Sequence, residues 1–147
     1  MNRENVFEQL KIDEGVVYEI YEDHLGYPTF GVGHLVLESD PEHGQPVGTP
    51  VSEERVKECF EKDLDTAISE CAILYGDEWE AFPGEVQEVL VNMLFNLGRP
   101  RLSKFKNFNA IIAAHDYAAA APEGLDSLWA RQVGARADRL MKRLEEV

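Results

Sequence analysis

Three residues near the N-terminus have the side chains and the spacing that acid–base chemistry needs. Glu14 ends a predicted helix, Asp23 follows nine residues later in a strand–turn segment, and Thr29 comes six residues after that. Cleavage of a glycosidic bond requires two carboxyl groups held in different environments, one to donate a proton and one to act as a base. The segment therefore offers a candidate acid, a candidate base and a hydroxyl that could hold a water molecule.

Each of the two carboxylates also has a simpler interpretation. Glu14 lies seven residues after Phe7 and four after Leu10, so its carboxyl is on or beside the apolar face of the helix. Desolvation there would raise its pKa and suit it to proton donation; the alternative is a surface acid at a frayed helix end. Asp23 precedes the predicted turn His24-Leu25-Gly26, where an aspartate most often caps the backbone.

The strand 29–34 has one face that is nearly bare of side chains. Thr29, Gly31 and Gly33 alternate along it. A bare face lets a ligand approach the backbone closely, so the two glycines are candidate substrate-binding residues. The alternative is a glycine-rich bend without a ligand.

His34 and Asp63 form a candidate structural pair. His34 has the strand parity of the apolar residues Phe30 and Val32, and Asp63 falls inside the apolar stripe of a long predicted helix. A buried carboxylate needs a partner, and His34 is a natural one. The pair would then stabilise the fold and take no part in catalysis.

Arg136 is a further candidate, because it follows Trp129 by seven residues and is predicted to share its helical face. An arginine beside a large ring is often buried and paired, and either Glu14 or Asp13 could be its partner. The four histidines do not cluster at the spacing of metal ligands, so neither a metal nor another cofactor is predicted.

Composition predicts a single α+β domain with an uneven charge. The 147 residues carry a net charge of −14. Residues 1–98 hold 22 acids and 5 bases, a net of −17, whereas residues 99–147 hold 9 bases and 6 acids, a net of +3. This balance disfavours nucleic-acid binding, although the bases of the second half could face an anionic polymer; a solvated helix face is the alternative. No apolar run approaches the ~20 residues of a membrane span, and no signal peptide is expected.

Periodicity and turn residues predict a small β-hairpin lobe, a linking helix and a helical lobe, with the site in a cleft between the lobes. Cys59 and Cys71 lie on the linking helix, too far apart for a disulfide, and are interpreted as buried apolar residues. The predicted segments are an N-terminal helix 3–14 grouped with the helical lobe, a β-rich lobe 15–51 with an irregular loop 37–51, a linking helix 52–75 that Ser52 caps, and a helical lobe 76–147 with helices near 83–97, 105–120 and 125–145.

Several of these motifs occur in the same order in a known family. The chain resembles the bacteriophage lysozymes of the T4 type, glycoside hydrolase family 24. The matching motifs are Phe7-Glu8-Gln9-Leu10-Lys11-Ile12-Asp13-Glu14-Gly15, Ile20-Tyr21-Glu22-Asp23, Gly26-Tyr27-Pro28-Thr29-Phe30-Gly31-Val32-Gly33-His34, Phe60-Glu61-Lys62-Asp63-Leu64-Asp65-Thr66-Ala67, Val91-Asn92-Met93-Leu94-Phe95-Asn96-Leu97-Gly98, and Ser127-Leu128-Trp129 through Arg136. The N-terminal motifs are the most specific of these.

The resemblance implies a role for each matching residue. Glu14 is then the catalytic acid, Asp23 the second carboxylate and Thr29 the hydroxyl beside the attacking water. The implied supporting residues are His34 with Asp63 as a stabilising ion pair, and Arg136 as a buried arginine that holds the glutamate near Asp13. The implied substrate-binding residues are Gly31, Gly33 and Phe105.

The resemblance also implies a substrate and a setting. The substrate would be the β-1,4 bond between N-acetylmuramic acid and N-acetylglucosamine in peptidoglycan, cleaved with inversion by a monomer without a cofactor. Such an enzyme would be released from the host cytoplasm to the cell wall at lysis, or be carried in the virion. The alternative from another class is a glycan-binding or structural module that kept the fold without catalysis. This chain departs from the well-known basic members in its acidic charge, and its loop 37–51 is shorter.

Overall fold

The computed structural model describes residues Met1–Val147 and is an α+β protein of the lysozyme-like class, as the sequence predicts. One antiparallel sheet of three strands lies early in the chain, and the remainder is helical. The elements are α1 (Arg3–Glu14), β1 (Val17–Glu22), β2 (Pro28–Gly31), β3 (His34–Leu35), α2 (Glu53–Tyr75), a 3-10 helix (Gly76–Ala81), α3 (Gly84–Leu97), α4 (Arg99–Leu102), α5 (Lys106–Ala113), α6 (Tyr117–Leu125), α7 (Leu128–Val133) and α8 (Ala135–Glu145).

The chain divides into two compact units, with the boundary inside α2. One unit is Glu4–Thr66, and the other combines Met1–Arg3 with Ala67–Val147. The sequence analysis groups the N-terminal helix with the later helices, whereas the structure groups α1 with the sheet from Glu4 onward. The physical reason is contact with the first half of α2, where the rings of Phe7 and Phe60 pack with centroids 4.7 Å apart.

In the unit Glu4–Thr66, β2 is the central strand of the order β1-β2-β3. The predicted loop 37–51 contains turns and no strand, but its end is tied to the outer edge of β1. The amide of Ile20 donates to the carbonyl of Thr49 at 3.0 Å, and the amide of Val51 donates to the carbonyl of Tyr18 at 2.9 Å. These bonds hold β1 between the loop and the central strand.

Helix α2 begins where its sequence predicts. The hydroxyl of Ser52 accepts a hydrogen bond from the amide of Arg55 at 3.1 Å, which is an N-cap. Cys59 and Cys71 are free and buried, and burial raises the pKa of their thiols to about 11 and about 12, respectively. Both thiols therefore stay protonated near neutral pH and pack as small apolar groups. The buried apolar stripe of the helix comprises Val56, Cys59, Phe60, Leu64, Ala67 and Cys71.

Two helices predicted in the second unit are each broken into shorter ones. The predicted helix 105–120 ends at Ala113, because His115 takes a left-handed φ of 63°. The predicted helix 125–145 is also wrong, because Gly134 with a φ of 59° separates α7 from α8. Trp129 and Arg136 consequently lie on different helices, and the prediction that they share one helical face is wrong.

Candidate active site

Glu14 is the last residue of α1, as the sequence predicts. Gly15 follows it with a φ of 78°, a left-handed conformation that ends helices and that glycine adopts without strain. The helix buries Val6, Phe7 and Leu10, whereas Glu14 is exposed. Of the two interpretations from spacing, the structure therefore favours an acid at the accessible helix end over one sunk into the apolar face.

Asp23 organises the turn between β1 and β2. Its Oδ1 atom accepts hydrogen bonds from the amides of Leu25 and Tyr27, each at 2.9 Å. Its own amide donates to the carbonyl of Tyr27 at 2.9 Å, and the amide of Gly26 donates to its carbonyl at the same distance. The capping role that the turn predicts is thus present, and it uses one oxygen of the carboxylate. The Oδ2 atom lies outside the hydrogen bonds of the turn.

Thr29 lies in the central strand, where it is opposite Tyr21 of β1 and Leu35 of β3. The residue is 2% exposed, and its hydroxyl donates to the carbonyl of Tyr27 at 3.0 Å. A threonine hydroxyl has one proton, so the donated bond leaves Thr29 as an acceptor toward any further partner. It can therefore accept a hydrogen bond from a water molecule.

The two glycines of the predicted bare face differ from each other. A Cβ atom on Gly31 would lie 3.1 Å from a methyl carbon of Val56, so α2 already occupies that side of the strand. The prediction of a bare face is wrong at Gly31, which is needed for packing and for its φ of 66°. Gly33 is exposed, has a φ of 65° and has open space where a side chain would stand. Substrate contact stays a prediction for both glycines.

His34 and Asp63 form the predicted pair. His34 is 7% exposed, and its Nδ1 lies 2.8 Å from Oδ2 of Asp63. The sequence analysis missed a second partner, because Nε2 of the same ring lies 2.8 Å from Oδ2 of Asp40. Burial acts to lower the pKa of His34, but the hydrogen bonds to Asp63 and Asp40 outweigh burial and raise this pKa above its ordinary value.

Arg55 extends this pair into an ionic cluster of His34, Asp40, Glu42, Arg55, Glu58 and Asp63. Its guanidinium bonds Glu42 through Nε at 3.0 Å and through Nη2 at 2.9 Å, and Nη2 is 3.2 Å from Oδ1 of Asp40. Its Nη1 bonds Glu58 at 2.7 Å. The bonds from Arg55 lower the pKa of Glu42. The cluster fastens the loop 37–51 to the start of α2.

Arg136 is buried in the second unit, and its Nε donates to Oδ1 of Asn92 at 2.9 Å. Its Nη2 also donates to the carbonyl of Asn92 at 3.2 Å. Asn92 was not among the predicted site residues. The signal for it was an amide inside the apolar run of α3, since a buried amide needs a partner. The predicted roles of Arg136 and Asp13 in holding Glu14 stay predictions.

Phe105 packs edge-on against Trp129, with ring centroids 6.3 Å apart. The indole of Trp129 donates to Oδ1 of Asn96 at 2.7 Å. Phe105 is half-buried and lines a surface depression of about 320 Å³ together with Lys104, Lys106 and Ser127. Its predicted contact with substrate stays a prediction.

The structure contains no group of three or more His, Cys, Asp and Glu side chains placed to hold a metal ion. None of its helices combines the length and the apolar character that crossing a membrane would take.

Comparison with known proteins gives one family and several distant relatives. A family model described as phage lysozyme matches residues 11–146. The chain is 29% identical over 156 residues to the protein named Probable T4-type lysozyme 2 of Dictyostelium discoideum, covering 94% of this chain and 92% of that one. It is 28% identical over 162 residues to Probable T4-type lysozyme 1 of the same organism, covering 96% and 94%.

A further relative is much longer than this chain. The chain is 28% identical over 150 residues to the pre-baseplate central spike protein Gp5 of Enterobacteria phage T4. The match covers 90% of this chain and 26% of the spike protein, so the chain spans about a quarter of that relative.

Proposed function

Because the chain belongs to the phage lysozyme family, we propose that it is a muramidase that hydrolyses the β-1,4 bond between N-acetylmuramic acid and N-acetylglucosamine in peptidoglycan. The observation that supports this most is the geometry of Asp23. Its Oδ1 is held by two backbone amides, while Oδ2 is left outside the turn. A carboxylate fixed in this way is oriented for a substrate or a water molecule before either arrives.

The proposed reaction uses three side chains in distinct roles. Glu14, at the exposed end of α1, protonates the leaving glycosidic oxygen. Asp23 accepts a proton from a water molecule on the opposite face of the sugar and stabilises the oxocarbenium-like transition state. Thr29 accepts the water's second hydrogen, which its hydroxyl is free to do because it donates to the carbonyl of Tyr27. One lone pair of the water is thereby aimed at the anomeric carbon.

Attack by water on the face opposite the leaving group inverts the anomeric centre. Inverting enzymes hold their carboxyl groups roughly 6.5–9.5 Å apart, whereas retaining enzymes hold them about 5 Å apart. We therefore propose an α-anomeric product, which NMR of the first product formed would detect. A β-product would overturn inversion while leaving hydrolysis in place.

The test is the Glu14→Gln variant on purified peptidoglycan, with Glu8→Gln as the matched control. Glu8 is an exposed residue of the same helix, bonded to Lys11 at 3.1 Å. Removing the general acid is expected to lower the rate of muropeptide release at least ~100-fold, whereas Glu8→Gln keeps the wild-type rate. Equal rates for wild type and Glu14→Gln would contradict the assignment of the acid. Anhydro-muramic ends in the mass spectrum would instead identify a lytic transglycosylase.

The match to a spike protein supports a second candidate function, a peptidoglycan-binding or structural module of a virion. Sedimentation with insoluble peptidoglycan separates the two functions. Binding by wild type without release of muropeptides would favour the module, and release would favour the enzyme. For the enzyme, we propose action at the cell wall during host lysis, with carriage in the virion as the alternative setting.

A further inference from the structure

We propose that Tyr21 is a positioning residue for the hydrolysis proposed above: its ring flanks the Thr29 hydroxyl, and its phenol is an uncharged donor beside the Asp23 carboxylate. This inference rests on the proposed function. Tyr21 is not among the residues that the sequence singles out for chemistry, because a tyrosine in a strand is ordinarily a packing residue.

The register of the sheet places Tyr21 next to Thr29. The two residues are direct partners in the antiparallel pairing of β1 with β2. Direct partners point to the same face of a sheet, with Cβ atoms about 4.5–5.5 Å apart. Thr29 is 2% exposed, whereas Tyr21 is half-buried. The tyrosine is thus the β1 side chain beside Thr29 on that face.

The same strand leads directly into the Asp23 turn. Asp23 follows Tyr21 by two residues, immediately after the last residue of β1. Alternation along an extended chain places residues two apart on the same side. Tyr21 is therefore adjacent to Asp23 along the strand and to Thr29 across the strands.

The electrostatics of the phenol agree with this placement. Burial raises the pKa of Tyr21, and the negative charges of Asp23 and then Glu14 raise it further. The phenol consequently remains protonated near neutral pH, and it cannot take a proton from either carboxyl group. The field of Asp23 acts on it more strongly than that of Glu14.

A neutral donor beside two carboxyl groups favours ionisation of the one that it affects more. An O–H donor stabilises the charged form of a carboxylate and so lowers its pKa. Tyr21 would therefore favour charge on Asp23 over charge on Glu14. Separating the two pKa values in this direction is what the reaction requires, because the base must be ionised while the acid is protonated.

The test is Tyr21→Phe, with Tyr18→Phe as the matched control. Tyr18 lies on the same strand, is 41% exposed and has no role in the proposed site. The phenylalanine keeps the ring, so the fold is expected to persist. We expect kcat to fall about tenfold with KM changed less than about twofold, as loss of a hydrogen bond to a charged group predicts. The acid limb of the pH–rate profile should move to higher pH, while Tyr18→Phe leaves kcat and profile as in the wild type.

A second measurement does not depend on activity. Titration of the Asp23 carboxyl carbon by NMR should give a higher pKa in Tyr21→Phe than in wild type and Tyr18→Phe. An unchanged titration together with a wild-type pH profile would overturn the role of Tyr21. If wild type itself released no muropeptides, the proposed function would fail, and the carboxyl titration would still decide whether Tyr21 acts on Asp23.

Discussion

Two groups of carboxylates within Glu4–Thr66 use their oxygen atoms differently. In the ionic cluster, Asp40 is bonded through both oxygens, one to His34 at 2.8 Å and the other to Arg55 at 3.2 Å. In the turn that precedes β2, Asp23 accepts both of its hydrogen bonds on Oδ1. The cluster carboxylates face protein cations, whereas Asp23 faces only backbone amides in its turn.

The difference indicates a division of labour between residues that lie close in sequence. A carboxylate whose oxygens are both engaged by cations stabilises the fold but has little capacity for a substrate. A carboxylate that is oriented through one oxygen retains the other for chemistry. The four residues between Thr29 and His34 therefore separate a region suited to catalysis from one suited to stability.

Asp23→Asn should have the largest effect and should act on rate. The asparagine side chain keeps an Oδ1 acceptor for the amides of Leu25 and Tyr27, so the free energy of unfolding should change by less than about 1 kcal/mol. The loss of a general base should lower kcat on peptidoglycan by a factor of ~100 to ~10,000. Turnover and urea unfolding of the same samples measure the two effects.

Asp63→Asn is the matched control, since it makes the same chemical change in the ionic cluster. It should lower stability while kcat stays within about twofold of wild type. A large fall in kcat with Asp63→Asn, or a large fall in stability with Asp23→Asn, would contradict the division between the regions.

His34→Ala should have the next largest effect and should act on stability. It removes the group between two carboxylates and the contact with the Phe30 ring, whose centroid lies 5.0 Å from that of His34. We expect the free energy of unfolding to fall by about 2 to 3 kcal/mol, below the range for a fully buried pair because Asp63 is 33% exposed. Urea unfolding measures it, and a kcat unchanged at temperatures where the variant is folded would complete the comparison.

The pH dependence of stability should carry the signature of the cluster. The folded-state pKa of His34 is raised, so its contribution is fully present below the unfolded value near 6.5 and is lost as the pH rises through the folded value. Burial would raise the pKa of Asp40, but the Leu37 amide, His34 and Arg55 hold it below its ordinary value. Its contribution is therefore present above pH ~4 and lost as the pH falls.

The cluster should consequently stabilise the protein most between about pH 4 and pH 6.5. The measurement is the difference in unfolding free energy between wild type and His34→Ala across this range. One proton limits the slope to about 1.4 kcal/mol per pH unit. A difference that is constant from pH 4 to pH 9 would show that the His34 charge contributes nothing.

The sequence predicts elements well where local signals and periodicity agree. Glu14 with Gly15 marks the end of α1, and Ser52 marks the start of α2, because caps act within a few residues. The breaks at His115 and Gly134 were missed, since the flanking residues keep a helical pattern across them. The pairing of α1 with α2 through Phe7 was also missed, because periodicity gives the apolar face of a helix but not its partner.

The site could be predicted to the extent that it depends on type and spacing. His34 and Asp63 were paired from strand parity and helical stripe. Asp40 and Arg55 were not, because Asp40 lies in a loop without periodicity and its position is set by tertiary contacts. Tyr21 was missed for a different reason: its role depends on its cross-strand partner, and register is not visible in one strand alone.

The smallest effect should come from the exposed edge of the cluster, and it tests whether burial sets the strength of these bonds. Glu58 bonds Arg55 at 2.7 Å but is 58% exposed, so Glu58→Gln should cost less than about 0.5 kcal/mol. Glu42 bonds the same guanidinium at 2.9 Å and is 12% exposed, so Glu42→Gln should cost about 1 to 2 kcal/mol. Because both substitutions remove one charge from the same arginine, unequal losses in urea unfolding must come from desolvation and geometry. Equal losses would mean that Arg55 acts through net charge alone, and the contrast between a buried cluster and an accessible turn would lose its energetic basis.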